Sequence, residues 1–88
     1  MANEVPTEGK LIGKISHFFS HISVAVIELS DVLKVGDTIR IVGGDVDLTQ
    51  KVDSMEIEHE KVQSAKPGDS VGMKVGGKVR DGYKVYKL

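Results

Sequence analysis

The sequence predicts an all-β fold, a small closed antiparallel β-barrel of about six or seven strands. Three observations carry this. One phrase occurs twice, as Lys34-Val35-Gly36-Asp37-Thr38-Ile39-Arg40-Ile41 and as Lys66-Pro67-Gly68-Asp69-Ser70-Val71-Gly72-Met73, with a weaker third version at Arg80-Asp81-Gly82-Tyr83-Lys84-Val85. Each version is a tight turn followed by an alternating strand. Elsewhere the apolar residues recur with period two, and no segment sustains a helical period. Closure into a barrel would also remove edges that could pair between molecules.

Lys10 to Phe19 reads as a first strand, with Leu11, Ile15 and Phe19 on one face and Gly13 between them. Ser20-His21 is a turn. Ile22, Val24 and Val26 alternate, and Ile27 and Leu29 continue on the other parity, which signals a bulge or a strand buried on both faces. Val32, Leu33 and Val35 lead into the first Gly-Asp turn, followed by Ile39 and Ile41. Gly43-Gly44 ends that strand, and Asp45 to Gln50 reads as a polar loop. Beyond Val52 the chain is extended again, with Met55, Ile57 and His59 on one face and an acidic row of Glu56, Glu58 and Glu60 on the other. Pro67-Gly68 suits a type II turn, because proline presets its φ and glycine accepts φ > 0. Val71, Met73 and Val75 form the next strand, Gly76-Gly77 breaks it, and Tyr83 to Tyr86 is the last.

The 88 residues, 40% of them hydrophobic, suffice for one domain with one core. A chain this short buries only about 60% of its unfolded surface. The expected organisation is a flexible arm over residues 1–9 and a single barrel over residues 10–88. With no cysteine, disulfides and thiolate metal sites are excluded, which suits a reducing compartment. Met1 to Lys10 lacks the apolar stretch of a secretory signal, and no run of ~18 apolar residues could span a membrane. The expected location is the cytoplasm.

The three motifs Leu33-Lys34-Val35-Gly36-Asp37, Ser54-Met55-Glu56-Ile57-Glu58-His59-Glu60 and Lys66-Pro67-Gly68-Asp69-Ser70-Val71-Gly72 together resemble domain 2 of the translational GTPases. This is the β-barrel that follows the G domain in elongation factor Tu and its archaeal and eukaryotic counterparts. The resemblance covers about residues 10–88. It is closest to the small stand-alone proteins called translation elongation factor-like, and related barrels end some peptidase-like, RNA-modifying enzymes. It implies the barrel, and it implies contact with the aminoacyl end of tRNA. One acceptor-end contact of the family is a histidine where this chain has Glu58, while His59 matches the next position. The family's acidic residues on the first strand fall near Ile12 and Gly13, and its Gly-Arg-Gly loop is replaced by His17-Phe18-Phe19-Ser20-His21. No Gly-x-x-x-x-Gly-Lys-Ser/Thr loop is present, so GTP binding is not implied.

Net charge is −1, but its placement is uneven. Residues 74–88 hold Lys74, Lys78, Arg80, Lys84 and Lys87 against Asp81 alone, which points to an anionic partner or to a solvated strand exterior. His17 and His21 sit four apart. Two imidazoles are short of a zinc set, and solvated loop histidines are the plainer reading. Of Phe18 and Phe19, one ring should enter the core and the other remain outside as a partner contact or a base-stacking platform. With Phe18 as the outer ring, Phe18→Ala should leave the melting temperature unchanged and weaken partner binding. Asp45, Asp47, Thr49, Asp53 and Glu56 match calcium-loop spacing, but Gln50 replaces the glycine and strands flank the match, so a plain hairpin loop is expected. The acidic row would repel phosphate and suit a basic protein partner. There is no cysteine nucleophile, no Gly-x-Ser-x-Gly elbow and no convergent pair of titratable groups.

The expected function is thus a non-enzymatic binding module without cofactor, docking on a protein or ribonucleoprotein partner. The expected contacts are His17, Phe18 and His21, with Lys74, Lys78, Arg80 and Lys84 as a second patch. Direct RNA binding by the basic stretch is one alternative. A detached accessory domain of a separately encoded enzyme is another.

Overall fold

The computed structural model describes residues 9–44 and 46–88. The arm expected over residues 1–9 lies outside the described residues except for Gly9. Ten strands succeed one another, with no helix among the described residues: β1 (Lys10–Phe19), β2 (Val24–Leu29), β3 (Leu33–Lys34), β4 (Thr38–Gly43), β5 (Val46–Lys51), β6 (Met55–Ile57), β7 (Glu60–Val62), β8 (Ser64–Ala65), β9 (Ser70–Lys74) and β10 (Lys84–Lys87). Among the described residues no helix is long and apolar enough to cross a membrane.

Eight strands form one sheet in the order β5-β4-β10-β1-β2-β9-β6-β7, and β3 pairs with β8 in a second sheet. The all-β class holds, but the closed barrel does not: the large sheet is open, with β5 and β7 at its edges. Among the described residues no ladder joins β5 to β9. β5 reaches the end of β9 through the Gln50 amide, which donates to the Lys74 carbonyl at 3.0 Å and accepts from the Gly76 N–H at 2.8 Å. The Gly76-Gly77 bend turns the chain away before backbone pairing could begin. The opposite edge, β7, is three residues long and carries exposed Glu60 and Lys61, which blunt it against further pairing.

The count of ten replaces the expected six or seven for two reasons. β3, β6, β7 and β8 are only two or three residues each. The expected polar loop over Asp45 to Gln50 is strand β5, of which Asp45 lies outside the described residues. Val46, Leu48 and Gln50 share its inner, half-buried side, Leu48 opposite Ile41 and Asp47 opposite Val42. With only two apolar side chains, its alternation is too faint to read as a strand.

β1 carries two bulges. Its register slips between Leu11 and Gly13 against β10, and between Ile15 and His17 against β2. Each extra residue reverses the parity of the strand beyond it. Ile12, Ile15 and Phe18, three apart, therefore turn inward, while Leu11 and Phe19 turn out at 48% and 39% exposure. This corrects the expectation that Leu11, Ile15 and Phe19 share a face. Of the two readings of Val26-Ile27, the strand buried on both faces holds: β2 alternates without a break, Ala25, Ile27 and Leu29 buried and Val24 and Val26 half-buried opposite them, and the extra residue of this pairing is Ser16 in β1.

The repeated phrase is explained by its hydrogen bonds. Asp37 N–H donates to the Lys34 carbonyl at 3.1 Å, and Asp69 N–H to the Lys66 carbonyl at 3.0 Å. Gly36 and Gly68 have φ of 101° and 95°, as position i+2 of a type II turn requires. Each aspartate then reaches back: Asp37 Oδ2 accepts from Lys34 N–H at 2.9 Å, and Asp69 Oδ2 from Lys66 N–H at 3.0 Å. The third corner keeps the glycine (Gly82, φ 93°) but has Tyr83 in place of the aspartate.

Both sheets enclose one core. Ile12, Ile15, Ile27, Leu33, Ile39, Ile41, Val52, Val71 and Val85 are each no more than 1% exposed. A fully buried side chain of this kind contributes about 1.5–3 kcal/mol. Among the described residues no polar or charged side chain is buried. Every group able to recognise a partner therefore lies on the outside.

Candidate docking groove and basic cavity

The β1–β2 hairpin turns through Ser20 to Ser23, with Ile22 N–H donating to the Phe19 carbonyl at 3.2 Å and Ser23 at φ 57°. His17 and Phe19 project together because they are two apart on a strand. Their ring centroids are 4.5 Å apart, and the Phe19 and His21 rings meet edge-on at 6.5 Å. Phe19 thus contacts both imidazoles. Among the described residues no group of three metal-ligating side chains gathers. Phe18 points to the other side and packs half-buried against the core.

Phe19 and Ile22 head a groove of about 280 Å³ on the outer face of the sheet. Val24 and Val26 line it from β2, opposite the inward Ala25 and Ile27. Gly72, cross-strand from both Val26 and Glu56, leaves it open, since a Cβ there would meet only Val24 Cγ1 at 3.6 Å. Glu56, Glu58 and His59 form the far wall. The expected acidic row does not survive as a row. Glu58 and His59 are the two-residue loop between β6 and β7, with Ile57 opposite Glu60, and so His59 is exposed at a hairpin tip rather than on an apolar face. Their φ values are 52° and 69°. A loop with φ > 0 at both central residues is the type I′ hairpin turn, normally Asn-Gly. For other residues the left-handed conformation costs roughly 1–2 kcal/mol each.

A second concavity, of about 570 Å³, lies on the other side of the same hairpin. It brings together His17 and Phe18 with Lys78 and Arg80, two groups far apart in sequence, and Tyr83 and Asp81 are among its other lining residues. Two expected members of the basic patch are elsewhere. Lys74 ends β9 opposite Val24, and Lys84 lines a shallow depression with Leu11, Lys14 and Glu28. His21 borders neither concavity.

Charge pairs stand apart from both sites. Arg40 grips Asp47 with two hydrogen bonds, at 2.7 and 2.6 Å, and the guanidinium holds that carboxyl below its ordinary value. The Lys10 ammonium, 2.6 Å from Asp31, lowers the Asp31 carboxyl likewise, helped by the Val32 N–H. Sequence reasoning missed Ile22, Val24 and Val26 as an outward surface. The signal for it is the apolar run on both parities of β2.

An all-β domain with one core, an open curled sheet and glycine-aspartate corners defines the class. Within it, the chain belongs to the elongation factor Tu domain 2 family, whose model matches residues 32–85. It is 45% identical over 78 residues to an uncharacterized protease of Methanocaldococcus jannaschii, covering 88% of this chain and 19% of that protein. The chain thus spans about a fifth of that relative's length. Its fold is shared with the C-terminal domain of a Geobacillus thermoleovorans protein assigned to the U32 peptidases. The TM-score is 0.84 at 17% identity, over 98% of this chain and 99% of that domain, and a selenomethionine form of the domain superposes with the same score over 89% of this chain.

Proposed function

We propose that the chain is a non-catalytic cytoplasmic docking module that binds a protein partner and serves an enzyme of the peptidase type. The observation that carries this is the exposure of Phe19 and Ile22, 39% and 49%, at one turn beside an apolar groove. Large apolar side chains exposed together mark interaction surfaces. The likeness to one fifth of a longer protease supports an accessory role. Affinity purification from native extract, with and without ribonuclease, tests it. The expected result is capture of an enzyme that survives ribonuclease and is lost with Phe19→Ala/Ile22→Ser. Capture that vanishes with ribonuclease would overturn it.

A second reading, RNA contact, is favoured by the convergence of Lys78 and Arg80 with Phe18 and Tyr83 in one cavity. It requires tRNA affinity that falls steeply with salt, and a salt slope reduced by about two in Lys78→Ala/Arg80→Ala. Absence of binding at about 50 mM salt would remove it.

A further inference from the structure

We infer that the groove between the β1–β2 turn and the β6–β7 hairpin holds a peptide segment of the partner in which an apolar residue stands next to lysine or arginine. This rests on protein docking as the role of the domain, and it names the chemistry of the occupant.

The groove has an apolar floor and an acidic wall. Val24 and Val26 supply the floor, and Phe19 and Ile22 close one side. Gly72 keeps the bottom open. The charged side chains that line it are Glu56 and Glu58, with no lysine or arginine among the lining residues. A phosphate entering here would face two carboxylates, whereas a cationic side chain would be attracted by both. At about 280 Å³ the space suits one or two side chains laid against the sheet.

Backbone strain points to the same place. Among the described residues three that are not glycine have φ > 0: Ser23, Glu58 and His59. Ser23 belongs to the turn that presents Phe19 and Ile22, and the other two are the opposite wall. Both sides of one groove are therefore held by turns in a conformation that glycine or asparagine would adopt more readily. Such strain gathers at ligand clamps, where the side chain matters more than the ease of the turn. At the hairpin tip the retained side chains are a carboxylate and an imidazole facing the groove.

The test uses the full chain, labelled with nitrogen-15, and four probes: the peptides Lys-Leu-Lys-Leu-Lys, Glu-Leu-Glu-Leu-Glu and Lys-Ser-Lys-Ser-Lys, and a short oligoadenylate. The first peptide alone should shift the amide signals of Val24, Val26 and Gly72. Glu56→Gln/Glu58→Gln should weaken that binding tenfold or more. Glu58→Asn/His59→Gly should raise the melting temperature and still weaken binding, an outcome a purely structural role for the hairpin would not give. The proposal is overturned if no peptide shifts these signals, if the acidic or serine peptide binds equally, if oligoadenylate occupies the groove in their place, or if the glutamine variant binds undiminished. Partner capture from extract separates the two levels. Capture kept by Glu56→Gln/Glu58→Gln but lost by Phe19→Ala/Ile22→Ser leaves docking standing and removes the groove assignment. No protein captured by the wild-type chain removes both.

Discussion

Asp37 and Asp69 explain why a four-residue phrase is written twice in this chain. Each closes its turn by accepting the N–H three residues back, at 2.9 and 3.0 Å, so lysine, glycine and aspartate are read together as one device. Asp37→Ala or Asp69→Ala should each destabilise the fold by about 1 kcal/mol, the usual worth of one such bond, in urea denaturation. The asparagine variants, which keep an acceptor oxygen, should lose less. These corners were legible in the sequence because every atom involved lies within four residues. Glu58 and His59 were not, since nothing in either side chain announces a left-handed backbone. The pairing of Ile57 with Glu60 imposes it from outside the loop.

β1 shows where sequence periodicity fails. Alternation is legible between bulges, but two one-residue slips exchange its faces twice. They also set the roles of the adjacent phenylalanines: Phe18 packs against the core and Phe19 faces out. Phe18→Ala should therefore cost about 2 kcal/mol, below the range for a fully buried ring because Phe18 is half-buried. Phe19→Ala should leave the melting temperature nearly unchanged and abolish partner capture. Calorimetry of the two variants checks the assignment, and the reverse order of effects would contradict it. Of the groove, the apolar run on both parities of β2, and Glu56 of β6 with Glu58 just after it, were visible along the chain. Their meeting across β9 was not, because it depends on the Glu56–Gly72 and Val26–Gly72 registers. The basic cavity was legible as two separate patches, and only the packing of the β1–β2 hairpin beside residues 78–83 joins them.

Over the whole molecule, the all-β class and the single core are consequences of the alternating pattern and the turns. Closure is not, because it depends on whether the last few residues of β5 and β9 lie within pairing distance, which no local pattern records. The gap between them is spanned by Gln50, whose amide both donates and accepts. Gln50→Ala should lower stability by about 1 kcal/mol and speed hydrogen exchange at Gly76. Unchanged exchange there would show that the two ends are held by something else. An amide bridge in place of a ladder also has a chemical meaning. A carboxylate there would keep the bond from the Gly76 N–H and forfeit the one to the Lys74 carbonyl, so deamidation at this single position would unpick half of the bridge.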